Sequence, residues 1–513
     1  MDRTIRRRLE DETATEQLGA DIAMALSPGD VLALRGGLGA GKTTLARGLI
    51  RQLAGEPDLE VPSPTYTLCQ SYFLAFPLHH FDLYRIGDPA ELTELGLAEA
   101  METGVVLVEW PERAPDALPA HAVTIELDLD PGGGRTATIS ATGDGDGTAL
   151  ARIARSLAIR AFLDLAWGRL TRRRFLQGDA SARRYETVAR DSQTRILMDS
   201  PRRPDGPPVK DGKPYSQIAH LAEDVVPFIA VDLALRRHGF AAPRLFAGSI
   251  RDGLLLIEHL GSEGIVDDQG HPVAARYREA ARLLARLHAV DWPARLAGTC
   301  PGGESYDHRV PDYDAQALVI EASLLVDWYV PAFAGQPLAP ADRQAFTDIW
   351  TGLAATLRTA ERTLVLRDYH SPNLIWRASE PFPANLGLID FQDAVFGPTA
   401  YDVVSLAQDA RVDVTPGLEA AIVAAYVEEH RRTSAGFDEA AFDRDRSILG
   451  AQRATKILGI FVRLDRRDGK PAYLRHLPRM RAYLARNLAH PALAEYRRWC
   501  AGVGGIILPD GDS

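Results

Sequence analysis

Residues 31–50 read VLALRGGLGAGKTTLARGLI, and this stretch decides the fold of the first part of the chain. Its apolar beginning at 31–35 predicts a β-strand, and the spacing G-x-x-x-x-G-K-T at 36–43 is that of a phosphate-binding loop. Residues 44–50 have helical character. Strand, loop and helix in this order let backbone N–H groups and a helix N-terminus meet phosphate oxygens. The stretch therefore predicts a nucleotide-binding α/β domain.

The loop assigns individual roles by position. Lys42 is expected to meet the β- and γ-phosphates, and Thr43 is expected to hold Mg²⁺. The residues predicted to bind the nucleotide here are Gly36, Gly39, Ala40, Gly41, Lys42, Thr43 and Thr44. A glycine-rich turn without a ligand is the alternative, which the presence of every fixed position disfavours. The motif indicates nucleotide binding and leaves open what the nucleotide energy does.

A second phosphate-handling pattern lies near the end of the chain, at 366–376 (LRDYHSPNLIW) and 388–391 (LIDF). Asp368 precedes Asn373 by five positions, and Asp390 follows seventeen positions later, after a short apolar run. This is the spacing of a kinase-like catalytic loop, in which the first Asp accepts the proton of the acceptor hydroxyl. Asn373 and Asp390 are then the predicted Mg²⁺ ligands.

Composition is that of an ordinary folded protein. The 513 residues are 46% hydrophobic and 25% charged, and this length favours about two to four domains. A net charge of −11 gives no support to a whole-protein attraction to nucleic acid or membranes. The scattered Cys69, Cys300 and Cys500 disfavour a disulfide framework or zinc site and favour a reducing cytoplasm. No signal-peptide pattern and no run of about eighteen apolar residues is found, so we expect no membrane span.

A composition change marks the boundary between two domains. The segment 143–147 (GDGDG) is polar and glycine-dense, so it cannot pack against a core. We therefore place a linker at 143–157, between an ATPase domain at 1–142 and a phosphotransferase domain at 158–513. Further strands of the first domain are predicted at 80–84, 105–109 and 123–127.

The second domain changes character along its length. A helical pattern begins at Ala149, short β-rich segments follow it, and after about Gly261 the pattern is mainly helical. A β-rich lobe before a helical lobe is the order of a kinase-like chain. The predicted fold class is thus α/β, with an N-terminal P-loop NTPase domain followed by a bilobal kinase-like α+β domain.

Three segments around the phosphate loop narrow the first function: 63–68 (SPTYTL), 80–85 (HFDLYR) and 107–112 (LVEWPE). In order and spacing they resemble the TsaE family, the ATPase subunit of the bacterial tRNA threonylcarbamoyladenosine machinery, over about residues 10–140. The resemblance implies that Thr43 and Glu109 bind Mg²⁺ and that Asp82 is a catalytic or metal-linked carboxylate. It also implies that partner subunits make most of the contact with tRNA. From the residues alone, a surface Asp82 and a solvated strand-end Glu109 stay open as the less favoured alternatives.

The second pattern also carries a resemblance, to the aminoglycoside phosphotransferase superfamily, over about residues 158–495. More closely, it resembles the anomeric sugar kinases that phosphorylate N-acetylmuramate and N-acetylglucosamine in cell-wall recycling. The resemblance implies that Ser181 and Arg183 belong to a loop over the nucleotide phosphates. It implies that Glu258 and Leu260 lie in the hinge whose backbone meets adenine. The supporting segments are 178–185 (GDASARRY), 389–394 (IDFQDA), 397–402 (GPTAYD) and 456–461 (KILGIF).

The chain departs from both families at specific positions. Met198 occupies the place where many kinase-like proteins have the phosphate-pairing Lys, so another cation must do that work. The candidates are Arg183, Arg184 and Lys213, with an exposed basic face as the alternative. Leu366 replaces the usual first His of the catalytic loop, and Gly37 replaces the usual acidic residue of the phosphate loop. Asp402 is expected either to support the catalytic loop or to cap a helix.

These observations predict a bifunctional cytoplasmic enzyme that uses ATP and Mg²⁺. One half supports modification of tRNA to N6-threonylcarbamoyladenosine at position 37, together with partner subunits. The other half phosphorylates the anomeric hydroxyl of a cell-wall amino sugar. Three alternatives stay open: an aminoglycoside or amino alcohol as acceptor, a nucleotide-binding interaction module in the second half, and a small-molecule kinase in the first half.

Overall fold

The computed structural model describes residues 4–88, 91–142, 148–176, 183–202, 205–434, 436–503 and 507. Contacts within the chain divide it into two compact units. The first comprises Met1–Asp179 and Tyr185–Thr194, and the second comprises Ala180–Arg184 and Arg195–Ser513.

The first unit contains nine strands and five helices among its described residues. Its strands are β1 Ile5–Leu9, β2 Val31–Arg35, β3 Cys69–Phe73, β4 Pro77–Asp82, β5 Val105–Glu109, β6 Val123–Leu129, β7 Arg135–Ser140, β8 Arg172–Leu176 and β9 Arg184–Arg190. Its helices are α1 Glu12–Ala23, α2 Lys42–Ala54, α3 Glu91–Glu94, α4 Leu97–Thr103 and α5 Ala149–Ala166. The strands predicted around the phosphate loop are thus present.

A seven-stranded sheet forms the centre of this unit, in the order β1-β7-β6-β2-β5-β4-β3. Strands β6, β2, β5 and β4 run parallel, and the two edges are closed by antiparallel pairs. Successive strand residues face opposite sides, so Val31 packs with α3 and α4 while Leu32 packs with α1, α2 and α5. The result is an α/β sandwich whose parallel strands all end at the edge that carries the phosphate loop.

Helix α5 occupies part of the predicted linker. Residues 143–147 of that linker lie outside the described residues, but α5 begins at Ala149, where the Thr148 hydroxyl accepts the Ala151 N–H at 3.2 Å. Its buried Ile153 and Leu157 belong to the same core as α1. The segment 149–157 is therefore helical and packed because its apolar face has a partner. The boundary between the two catalytic domains stays a prediction.

A buried ionic cluster ties α1, α5 and the hairpin β8–β9 together within the first unit. The carboxylate of Asp21 accepts hydrogen bonds from Arg160 at 2.9 and 3.1 Å and from Arg173 at 3.1 Å. Arg173 also makes a two-fold pair with Glu186, at 2.7 and 2.8 Å. All four residues are at most 8% exposed. Each charge has a partner, which is the condition for burying such a group.

The second unit is mainly helical, and it contains β10 from Arg195 onward. Its strands are β10 Gln193–Asp199, β11 Pro208–Lys210, β12 Lys213–Pro214, β13 Leu245–Ser249, β14 Leu254–Glu258, β15 Arg295–Thr299, β16 Ser305–Arg309, β17 Arg362–Val365, β18 Leu374–Trp376, β19 Leu386–Leu388 and β20 Val395–Pro398. Its helices are α6 Tyr215–Ile218, α7 Val226–Arg237, α8 Ala274–His288, α9 Ala315–Leu324, α10 Val330–Ala334, α11 Pro340–Thr356, α12 Ala400–Ala407, α13 Pro416–Thr433, α14 Glu439–Asp468, α15 Leu477–Leu488 and α16 Ala494–Gly502.

Strands β10, β14 and β13 pair antiparallel, and a set of helices around α14 forms the larger part of the unit. Helix α14 is 30 residues long, begins at its N-cap Asp438 and ends at Gly469, whose φ of 65° suits glycine. The catalytic-loop segment lies between β17 and β18, and the hairpin β18–β19 follows it. A β-rich beginning and a helical remainder are what the sequence predicts.

One stretch, Ala315–Ala334, is long and apolar enough to cross a membrane by length and composition alone. However, 56% of it is buried inside the protein. It also carries Glu321, which is fully buried and ion-paired with Lys456 at 2.7 Å. The stretch is therefore a core helix of the second unit.

Candidate active sites

The first site forms where the parallel strands β4, β5 and β2 end. In the sheet register, Asp82 is the partner of Glu109, and Glu109 is the partner of Leu34. Since β2 leads directly into the phosphate loop, both carboxylates lie beside it. The predicted nucleotide residues Gly36, Gly39, Ala40 and Gly41 form this loop, and α2 begins at Lys42. The structure thus brings together the whole first set of predicted residues.

Two glycines of the loop are required by its shape. Gly36 has a φ of 137°, and a Cβ there would lie 2.5 Å from the backbone oxygen of Leu127. Gly41 has a φ of 105°, and a Cβ there would lie 2.0 Å from a guanidinium nitrogen of Arg135. Side chains rarely adopt such φ values. The loop therefore presents bare backbone, which allows close approach of a phosphate.

Lys42 lies inside the loop and not in solvent. Its Nζ donates to the carbonyl oxygens of Gly36 at 2.8 Å and Gly37 at 3.0 Å, and it lies 3.7 Å from the ring centroid of Trp110. Burial lowers the pKa of Lys42, and the charges of Glu109, Glu112 and Asp82 oppose that shift. The ammonium is held at the centre of the loop, where phosphate oxygens would compete for it.

Glu109 and Asp82 are each only 2% exposed, and both accept hydrogen bonds from hydroxyl groups. Thr43 donates to the two Glu109 oxygens at 2.9 and 3.1 Å. Ser63 and Thr65 both donate to Asp82 Oδ2 at 2.7 Å. Two carboxylates and a hydroxyl in one place form the hard oxygen donor set that Mg²⁺ prefers, so the residues fit that ion.

Further contacts at this site go beyond the sequence prediction. His80 is fully buried, and its Nε2 lies 3.0 Å from Glu109 Oε1. The bonds of Ser63 and Thr65 connect the segment 63–68 to Asp82. Thr44 lies in the first turn of α2, where its hydroxyl is 3.4 Å from Glu12 on α1.

The second site is assembled by the hairpin β18–β19. Leu374 pairs with Leu388 in its register, and the Ile389 N–H donates to the Asn373 carbonyl at 3.1 Å. This pairing brings the ends of the hairpin together, so Asn373 Nδ2 lies 3.5 Å from Asp390 Oδ2 and donates to the Asp368 carbonyl at 2.9 Å. The three residues predicted as base and metal ligands are therefore neighbours, although seventeen positions separate two of them.

Asp368 keeps 38% of its side chain exposed. Burial alone would raise the pKa of its carboxyl, but nearby positive charges outweigh burial and lower the pKa. The groups responsible are His370, Arg453, Lys456 and Arg367. Burial lowers the pKa of His370 to about 4, so at neutral pH the lasting positive charges are the other three. Asp368 is therefore ionised and accessible, as a general base must be.

Asp390 has a different environment. Burial, followed by the charge of Asp368, raises the pKa of Asp390, and Arg183 partly offsets the shift. Gln392 donates to Asp390 Oδ1 at 2.8 Å, and the Arg183 guanidinium lies 3.6 Å from the same oxygen. The Asp390 carboxylate and the neighbouring side-chain amide of Asn373 carry the kind of oxygen atoms that a hard cation prefers. The residues therefore fit Mg²⁺.

Buried carboxylates support the catalytic loop from behind. Asp402 is fully buried and accepts the backbone N–H groups of Leu366 at 2.7 Å and Arg367 at 2.8 Å. These bonds confirm the prediction that Asp402 supports the loop. Asp409, which the sequence reasoning missed, accepts the Ser371 N–H at 2.9 Å. Two residues of the site, Arg367 and Asp390, have φ values of 68° and 59°, a conformation that persists only when neighbours enforce it.

A second buried group was also missed. Glu321 on α9 is fully buried, pairs with Arg367 and Lys456, and accepts from Tyr313 at 2.7 Å. Burial alone would raise its pKa, but the charges of Lys456 and Arg367 lower the pKa to about 2. The only sequence signal was the Arg that immediately precedes Asp368. Glu321, the acidic partner of Arg367, lies 46 positions away in the sequence and belongs to no motif.

The remaining predicted residues lie as follows. Glu258 ends β14, and its carboxylate accepts the Arg244 N–H at 3.0 Å, while Leu260 follows two positions later. Met198 is fully buried within β10, so no cation stands at that position. Ser181 lies outside the described residues. Of the three candidate cations, Arg183 is the one placed beside Asp390, whereas Arg184 and Lys213 are exposed.

Two family models match separate parts of the chain. A model of the phosphotransferase enzyme family matches residues 172–437, and a model of threonylcarbamoyl adenosine biosynthesis protein TsaE matches residues 9–137. An N-acetylmuramate/N-acetylglucosamine kinase of Caulobacter vibrioides is 34% identical over 67% of this chain and 95% of that protein. The N-acetylmuramate/N-acetylglucosamine kinase of Pseudomonas aeruginosa is 32% identical over 65% of this chain and 90% of that protein. A tRNA threonylcarbamoyladenosine biosynthesis protein TsaE of Rickettsia felis is 37% identical over 24% of this chain and 71% of that protein.

The fold and the two sites define an enzyme of nucleotide phosphate chemistry, with a phosphate loop in one unit and a kinase-like catalytic loop in the other. The chain belongs to the phosphotransferase enzyme family, and its N-terminal part belongs to the TsaE family. The predicted fold class, the fusion of two families and the assignment as an enzyme of ATP hydrolysis and phosphotransfer are thereby confirmed. The roles of the individual residues stay predictions.

Proposed function

We propose that the chain is bifunctional. Its N-terminal part hydrolyses ATP in support of N6-threonylcarbamoyladenosine formation at position 37 of tRNA. Its C-terminal part uses ATP to phosphorylate the anomeric hydroxyl of N-acetylmuramate or N-acetylglucosamine. The observation that carries the kinase assignment is the ionised, accessible Asp368 beside Asn373 and Asp390, in a segment similar to two kinases of that name.

In the kinase site, Asp368 accepts the proton of the acceptor hydroxyl as that oxygen attacks the γ-phosphorus. Asn373 and Asp390 would hold Mg²⁺, which would supply positive charge to neutralise the phosphate oxygens. Arg183, beside Asp390, takes the phosphate-pairing role that Met198 lacks. Asp402 fixes the loop so that Asp368 keeps its direction. Binding and orientation supply most of the catalysis, because this reaction needs little covalent chemistry from the protein.

In the ATPase site, Lys42 exchanges its loop carbonyls for phosphate oxygens. Thr43 and Glu109 would hold Mg²⁺. Asp82, which lies on β4 beside Glu109 on β5, would orient the attacking water or the metal. Ser63 and Thr65, which donate to Asp82, then connect hydrolysis to a surface segment. The proposed partners are the other subunits of the tRNA-modifying complex, and these subunits make most of the contact with tRNA. The proposed location is the cytoplasm.

The kinase assignment is tested by ATP consumption with N-acetylmuramate, N-acetylglucosamine and an aminoglycoside as separate acceptors. We expect turnover of at least one amino sugar. Asp368→Asn should abolish transfer while ATP binding stays nearly unchanged, because the base does not hold the nucleotide. The matched control is Asp348→Asn, at an exposed position of α11, which should retain activity. Turnover of the aminoglycoside alone would contradict the sugar assignment, and full activity of Asp368→Asn would contradict the role of the base.

The ATPase assignment is tested by reconstitution with the partner subunits and measurement of threonylcarbamoyladenosine in tRNA. Lys42→Ala should remove the modification, while Lys470→Ala, at an exposed position, should not. Phosphorylation of the sugar by Lys42→Ala should be unchanged, which separates the two activities. Normal tRNA modification by Lys42→Ala would exclude this function for the first site.

A further inference from the structure

Arg453, on α14, is a buried cation close to the catalytic loop of the second unit. It is 5% exposed, and its Nη1 donates to the carbonyl oxygen of Arg367, the residue before Asp368, at 3.4 Å. Its Nε is buried and has no hydrogen-bond partner. Within the part of the chain that the structure describes, Arg453 has no carboxylate within 4.0 Å.

This is unusual because a buried charge is costly unless it is paired. The neighbouring cations follow the rule, since Arg367 and Lys456 both pair with Glu321. Lys456 lies one turn further along the same helix and has Glu321 as its acidic partner. Among the described residues, the Arg453 guanidinium thus has the Arg367 carbonyl and, at 6.0 Å, the ring of Tyr401 as neighbours, but no acid.

The surroundings indicate which anion would complete it. Arg183 faces Asp390, at the side of the site proposed to hold the metal and nucleotide phosphates. Arg453 approaches the loop from α14, through the carbonyl of Arg367, and its charge acts on Asp368. Asp368 is the group that meets the acceptor hydroxyl. An acceptor whose hydroxyl meets Asp368 would therefore bring its other groups close to Arg453.

We propose that Arg453 binds a carboxylate carried by the acceptor and thereby sets the preference among amino sugars. N-acetylmuramate differs from N-acetylglucosamine by a lactyl ether that ends in a carboxylate, and a guanidinium recognises that group by two parallel hydrogen bonds. The inference rests on the proposed kinase function and adds a specificity-determining residue to it.

The test compares the full chain with Arg453→Gln and Arg453→Lys, using both sugars under steady-state conditions. For Arg453→Gln we expect kcat/KM for N-acetylmuramate to fall by about 10- to 100-fold, mainly through KM, because a charge-assisted hydrogen bond is lost. For N-acetylglucosamine and for ATP, KM should change less than about threefold. Arg453→Lys keeps the charge but not the planar fork, so its effect on N-acetylmuramate should be intermediate.

Each remaining outcome overturns a defined claim. Because the charge of Arg453 also acts on Asp368, any loss of kcat should be the same for both sugars. Equal losses of kcat/KM for both sugars, in variants that melt at the temperature of the unaltered chain, would mean that Arg453 acts only through Asp368 or the phosphoryl group, and not on an acceptor carboxylate. Unchanged kinetics with both sugars would exclude a contact. If the unaltered chain phosphorylates neither sugar, the proposed function falls first, and this inference falls with it.

Discussion

Removal of the Asp21 charge is the sharpest test of how the first unit is held together. In Asp21→Asn, the guanidinium of Arg160 loses its buried carboxylate partner and keeps only Asp164, which is 3.8 Å away and 35% exposed. Arg173 keeps only Glu186. Breaking a buried ion pair on one side costs about 3–5 kcal/mol, because the remaining charge stays out of water. Since 1.4 kcal/mol is a factor of ten, the equilibrium for opening of α5 should shift by about 150- to 4000-fold.

Hydrogen–deuterium exchange of the α5 backbone amides measures this opening directly. The amides of Ala149–Ala166 should exchange faster in Asp21→Asn by that factor. The control is Glu12→Gln on the same helix α1, because Glu12 is 66% exposed and lies 3.4 Å from Arg47. A surface pair of this kind contributes less than about 1 kcal/mol. If exchange in Asp21→Asn is no faster than in Glu12→Gln, the cluster does not hold α5 in place.

Two further outcomes are expected. Gly41→Ala should lower ATP hydrolysis by at least about tenfold, because a φ of 105° is strained for a residue with a Cβ and the Arg135 guanidinium would also have to move. Gly37→Ala meets nothing within 4 Å and should be tolerated, and equal activities of the two variants would refute the reasoning. The pKa of Glu321 is lowered from an ordinary 4.5 to about 2. The ionised carboxylate therefore stabilises the second unit fully above about pH 4.5, and this contribution is lost as the pH falls toward 2. The melting temperature of Glu321→Gln should therefore lack that pH dependence, and an unchanged slope would contradict it.

Local patterns predicted the first site almost completely. The strand Val31–Arg35 and the helix that begins at Lys42 are as expected, because the phosphate loop, its strand and its helix are contiguous in sequence. The positions of Asp82 and Glu109 also follow from strand ends, since parallel strands bring their carboxyl ends to one edge. His80 could not be assigned, because its contact with Glu109 depends on the order in which β4 and β5 pair.

Prediction was less complete for the second site. Asp368, Asn373 and Asp390 carry a motif, so their proximity was expected from spacing. Glu321 and Arg453 carry none, because each lies on a helix far along the chain and reaches the loop only when α9 and α14 pack together. The helical spacing of residues in the sequence does not show whether a charged residue is buried or lies on the surface.

The amino-acid sequence alone determined that this protein has two phosphate-handling sites of different families, because each motif is a short continuous segment whose chemistry depends on local backbone shape. It could not determine which distant charges surround those segments. Tertiary structure decided that α5 belongs to the core of the first unit and that Arg183 stands beside Asp390. It also decided that Arg453 meets no acid among the described residues. These features depend on which helices and strands pack together, and electrostatic energy acts through space, not along the chain.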